Sequence, residues 1–69
     1  MTYRNLETAL QNEGITLKRL AEHLGISEKS VFNKVKGKSP FTVPEYRKVC
    51  LLLHKYDRDW LFTEYADGQ

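Results

Sequence analysis

The stretch Thr16-Leu17-Lys18-Arg19-Leu20-Ala21-Glu22-His23-Leu24-Gly25-Ile26-Ser27-Glu28-Lys29-Ser30-Val31-Phe32-Asn33-Lys34-Val35 decides how this 69-residue chain folds. Leu17, Leu20, Ala21 and Leu24, and then Val31 and Val35, recur three and four apart. That is the spacing of one buried side on each of two helices. Thr16 and Ser27 stand immediately before the two apolar series, where a short side-chain oxygen accepts an otherwise unpartnered N–H of the first turn. Between the helices Gly25 supplies a positive φ, which a residue bearing a Cβ adopts only with strain, so the chain turns sharply there. Ala21 has to be small because the second helix crosses close over it. The spacing predicts helices over 17–24 and 28–36, locked at a steep angle by Leu20, Leu24, Ile26 and Val31, with Gly37 as terminator.

Outward from this unit the signals continue. Tyr3, Leu6, Ala9 and Leu10 make one apolar stripe, predicting a helix from Thr2 to about Asn12 that Gly14 ends, with Ile15 folding back onto it. Lys36 to Phe41 contains Gly37, Ser39 and Pro40 and is expected to be a loop. Thr42-Val43-Pro44-Glu45 is a capping-box sequence with proline in the first turn, and Phe41 is placed to staple onto Tyr46. Tyr46, Val49, Cys50 and Leu53 form the inner stripe of that fourth helix. Asp57 caps a short fifth one through Trp60, Leu61 and Phe62. The tail over 66–69 is expected to fray. The expectation is one all-α domain of five helices spanning 1–69.

Charge is unevenly spread. Residues 18–48 hold eight basic side chains (Lys18, Arg19, Lys29, Lys34, Lys36, Lys38, Arg47 and Lys48) against Glu22, Glu28 and Glu45, a net +5. The segments before and after are −1 and −2. A basic middle between acidic ends suits a polyanion met by one face, although a solvated lysine-rich surface gives the same count. Other classes are disfavoured. The longest apolar run, Val49 to Leu53, falls far short of the ~20 residues of a membrane span. Nothing after Met1 resembles a signal peptide. The single cysteine, Cys50, cannot form an internal disulfide, and a buried thiol in a reducing cytoplasm is expected. His23 and His54 lack cysteine partners at zinc-ligand spacing, so no metal is expected. No nucleophile–base pairing surrounds Cys50 and no glycine-rich phosphate cradle is present. The chain is not expected to be an enzyme, and neither a cofactor nor a small-molecule ligand is expected.

With Ala21 and Gly25 four apart and apolar residues flanking them, the segment resembles the Cro/repressor (XRE-type) helix-turn-helix family of temperate phages and bacteria. The likeness runs from Thr2 to about Phe62 and takes in Asp59-Trp60-Leu61, similar to that family's short last helix. Asn33-Lys34-Val35-Lys36-Gly37-Lys38, followed by Phe41-Thr42 and Glu45, resembles small phage and prophage transcriptional regulators. The resemblance implies a compact lambda-repressor-like DNA-binding domain whose helices two and three form the helix-turn-helix. It implies double-stranded DNA as partner and the third helix in the major groove. Two positions depart from the family pattern. The glutamine usual at the start of the second helix is Leu17, leaving the helix N-terminus itself to face a phosphate. The second apolar anchor of the third helix is Val35, four after Val31 where many members space it by three, which rotates the exposed face.

In that frame, Lys29 and Asn33 lie opposite Val31 and Val35 on the third helix. Lysine can donate to guanine and asparagine can pair bidentately with adenine. Glu28 either accepts from cytosine or serves the helix dipole, and Phe32 either touches a thymine methyl or packs against Phe41 and the fourth helix. Thr16, Lys18, Ser30, Lys36, Lys38 and Ser39 are expected at phosphates, and Lys34 at phosphate or base. Reading a full site calls for a homodimer, free or on DNA, with half-sites about 34 Å apart. Trp60, Phe62 and Tyr65 are its interface candidates. Trp60 and Leu61 are equally suited to closing the core, which leaves Phe62 and Tyr65 preferred. With no second domain expected after the fifth helix, a Cro-like or other minimal regulator is expected over a full-length inducible repressor. Two other classes stay open: a helical protein-interaction module on the same scaffold, and an architectural or recombination accessory protein.

Overall fold

The computed structural model describes residues 2–66 and contains five helices in the order α1 (Arg4–Asn12), α2 (Leu17–Leu24), α3 (Glu28–Val35), α4 (Val43–Leu52) and α5 (Arg58–Leu61). Four of them begin at a side-chain cap. Thr16, Ser27, Thr42 and Asp57 accept from the backbone N–H of Arg19, Ser30, Glu45 and Trp60 respectively. At α4 the cap is reciprocal, since the Glu45 carboxylate accepts the Thr42 N–H at 2.9 Å. Each cap satisfies a donor that the helix cannot, worth about 1 kcal/mol. No helix among the described residues is long and apolar enough to cross a membrane.

The helix stripes meet in one core. Leu6, Ala9 and Leu10 of α1, Leu20, Ala21 and Leu24 of α2, and Val31 and Val35 of α3 are buried, together with Val49, Leu53 and Leu61. α2 packs on both α3 and α4, and α1 packs on α5. Tyr3, Phe41, Tyr46 and Phe62 add a cluster of rings at its edge, with Phe62 5.5 Å from Tyr3, 5.6 Å from Phe41 and 4.6 Å from Tyr46.

Three expectations are corrected here. α1 starts at Arg4 and not near Thr2, because Thr2 is extended and exchanges backbone hydrogen bonds with Tyr65 (2.8 and 2.9 Å), while the Tyr3 N–H donates to the Val35 carbonyl. The Phe41–Tyr46 staple is mediated by Phe62, whose ring packs against both. Cys50 is half-buried, with Val49 and Leu53 occupying the inner line of α4. The expected fraying over 66–69 falls, beyond Ala66, outside the described residues.

Candidate nucleic-acid interface

The corner between α2 and α3 is set by Gly25, at φ 74° and ψ 29°. Its N–H donates to the Ala21 carbonyl at 2.8 Å, and the next N–H, of Ile26, donates to the same oxygen at 3.1 Å. A Cβ on Gly25 would meet no atom within 4 Å. The requirement there is the left-handed backbone and not space. Ser27 then caps α3, and its hydroxyl donates to that of Ser30 at 2.9 Å.

With Val31 and Val35 sealed in the core, the helical rotation of 100° per residue directs Lys29 and Asn33 the other way. Lys29 is exposed and Asn33 half-exposed. Asn33 lends its carbonyl to the Lys38 N–H at 2.8 Å, ending the helix, but its side-chain amide makes no hydrogen bond with the described residues. Glu28 is exposed in the first turn, where its charge meets the positive end of the helix. Lys29 and Asn33 therefore offer donors, and Asn33 an acceptor, uncommitted on one side of a short helix.

Phe32 does not pack against Phe41. Its ring is 42% exposed on the flank facing α1, with the ammonium groups of Lys36 and Lys38 at 5.7 and 6.0 Å from its centre. The Phe41 ring goes to Tyr3 and Phe62 instead.

The expected phosphate set divides. Lys18 and Lys38 are exposed and have no acidic partner among the described residues, and Ser39 is half-exposed. Thr16 is exposed with its hydroxyl oxygen engaged in capping α2. Ser30 is tied to Ser27. Lys36 pairs with Glu7 at 2.9 Å in a half-exposed bridge. Lys34 is the correction. Its side chain is only 13% exposed, its ammonium donates to the Glu45 carboxylate at 2.6 Å and to the Pro40 carbonyl at 3.1 Å, and it closes the seam between α3 and α4. The same ammonium, with the Thr42 N–H, holds the Glu45 carboxyl below the ordinary glutamate range. Lys34, expected at a phosphate or base, is committed here to an ion pair within the fold.

Residue types alone did not single out Glu45 and Glu7 as partners for these lysines. Glu45 carried a signal, being a capping-box acid beyond a short loop from a lysine on the edge of an apolar stripe. Glu7, 29 residues from Lys36, carried none.

At the other end, Leu61 is fully buried while Trp60 is 39% exposed and stacked on Tyr56 at 5.8 Å. Phe62 belongs to the ring cluster, and the Tyr65 hydroxyl donates to Asn5 at 3.2 Å with Arg4 over its ring. Of the trio Trp60 is the most exposed, Phe62 and Tyr65 being half-buried.

Compared with protein-family models, with curated proteins and with solved structures, the chain matches none.

Proposed function

We propose that this chain is a sequence-specific double-stranded DNA-binding protein that regulates transcription, with α2 and α3 acting as a helix-turn-helix of the lambda-repressor kind. The supporting observation is the side of α3 bearing Lys29 and Asn33, whose polar groups have no internal partner while the opposite side is sealed by Val31 and Val35. Donors and an acceptor left uncommitted on the outward side of a helix that fits a major groove are what base reading requires. Lys29 takes guanine and Asn33 adenine. Glu28 serves chiefly the dipole of α3. Lys18 and Lys38, with Ser39 and the capped N-terminus of α2 at Thr16, neutralise or bond phosphates without reading sequence.

A single α3 covers too few base pairs for a promoter, so a homodimer on a twofold site is part of this reading, with Trp60 in its interface. No chemical reaction is assigned to the chain, and its place of action is the reducing cytoplasm of a bacterium or an infected cell. The test is selection of bound duplexes from a random pool, which returns specificity, half-site symmetry and spacing together. Failure to enrich any sequence over random competitor at moderate salt rejects the proposal. Sedimentation on the selected duplex then separates dimer from monomer.

A further inference from the structure

We propose that the cleft between α1, the turn after it and α3 binds a small apolar carboxylic acid, one with an aromatic or branched aliphatic body. The cleft has a volume of about 450 Å³, inside the range that takes small ligands. Leu10, Ile15, Leu17 and Val35 line it, and the exposed Phe32 ring forms a wall. An open phenyl ring facing half-buried Ile15 and Leu17 is apolar surface left in water, and covering it is favourable in proportion to its area.

Charge at the rim selects the head group. Lys36 and Lys38 place their ammonium groups about the Phe32 ring. Glu7 and Lys36 both line the cleft and neutralise one another. Lys38, outside the lining but 6.0 Å from the centre of the Phe32 ring that walls it, has no acidic partner among the described residues and leaves one net positive charge at that end. A carboxylate beside Phe32 meets that unpaired cation while the body covers the apolar lining. Neither a neutral molecule nor an amine matches both halves.

One consequence rests on the DNA-binding reading. Phe32 and Lys36 lie on α3, and Thr16 and Leu17 start α2, so a bound acid adds negative charge beside the DNA-facing side. Occupancy therefore weakens DNA binding.

Amide chemical-shift mapping of the free full chain, titrated with hydrocinnamate, tests the site without any DNA. Saturable shifts are expected at Leu10, Ile15, Leu17, Phe32 and Val35 in the millimolar range or below. The neutral hydrocinnamamide, and the Lys38→Ala variant with the acid, each bind about two- to fivefold more weakly, as loss of one exposed ion pair dictates. Leu17→Trp, which fills the cleft, abolishes the shifts. No saturable shift, equal affinity for acid and amide, or shifts centred on Tyr46, Cys50 and His54 of α4 and the segment after it overturns the proposal. Fluorescence anisotropy on a selected duplex then reads the consequence: the acid lowers DNA affinity and the amide does not. An unchanged affinity with the cleft occupied removes the regulatory clause. A chain that binds no duplex leaves the shift titration to decide the site by itself.

Discussion

Asn33 and Lys34 are adjacent in sequence and 100° apart around α3, and the structure uses them in opposite ways. Lys34 points into the seam with α4, nearly covered, its ammonium shared between Glu45 and the Pro40 carbonyl. Asn33 points away from the core with its amide uncommitted. The seam teaches that a count of lysines in a basic segment overstates the charge available to a partner. Of the eight cations between residues 18 and 48, Lys34 and Lys36 are already matched, leaving Lys18, Arg19, Lys29, Lys38, Arg47 and Lys48. Burial and ion pairing lie on one side of the helix and uncommitted polar groups on the other, so under the proposed DNA reading substitutions on the two sides should separate cleanly.

The largest effect is expected at the seam. Glu45→Ala strips Lys34 of its carboxylate partner in a nearly buried position and removes the acceptor for the Thr42 N–H. Leaving a charge poorly compensated at such a site, together with loss of half a capping box, should cost about 2–4 kcal/mol. Urea unfolding measures it, and a midpoint within error of the parent protein would show that the seam is not structural. Glu45→Gln keeps the capping acceptor and loses the ion pair, so it should fall between the two.

Acid should act on the same pair. The folded-state pKa of Glu45 lies below its unfolded value, so the folded state binds its proton less readily. This contribution to stability is present in full above the ordinary glutamate pKa and disappears as pH falls through the lower, folded value. Glu13, held down by Lys55 and the Tyr56 hydroxyl, slopes the same way. Unfolding midpoints measured downward from neutral pH should therefore decline below the glutamate range, and Glu45→Gln should flatten part of that decline. An identical slope in the variant would remove Glu45 from the account.

On the opposite side, Asn33→Ala should leave stability within about 0.5 kcal/mol, as for other uncommitted surface groups. It should cost about 1–3 kcal/mol of discrimination at a single base pair of the selected site. Equal losses on selected and random duplexes would move Asn33 from base reading to general attraction.

What was legible in the residues, and what was not, follows the distance over which each feature is determined. The caps at Thr16, Ser27, Thr42 and Asp57 and the turn at Gly25 are fixed by interactions within about four residues, and the helices start there as the pattern predicts. The start of α1 was misread because Thr2 is drawn into extended backbone by Tyr65, 63 positions away. Phe32 was offered a berth against Phe41 that Tyr3 and Phe62 fill instead, and only their packing leaves its ring facing the α1 cleft. The sides of α3 were readable from periodicity. Which of its cations would be neutralised was not, since Glu7 and Glu45 reach them across the fold.

The smallest expected effect probes the middle ground between the two sides. Lys36 is half-exposed and already bridged to Glu7, whereas Lys38 is exposed and unbridged. If Lys38 neutralises a phosphate, Lys38→Ala should weaken all duplexes alike and reduce the slope of log affinity against log salt by about one. Lys36→Ala should reduce it by less, because part of that charge is spent on Glu7 before DNA arrives. Glu7→Gln should then act in the reverse sense, freeing Lys36 and modestly raising affinity for every duplex at low salt, with little change in stability because the bridge is solvent-screened. Were Glu7→Gln to leave the salt slope untouched while Lys38→Ala lowers it, the phosphate path would run past Lys38 alone, and the α1 flank of α3 would lie outside the DNA contact altogether.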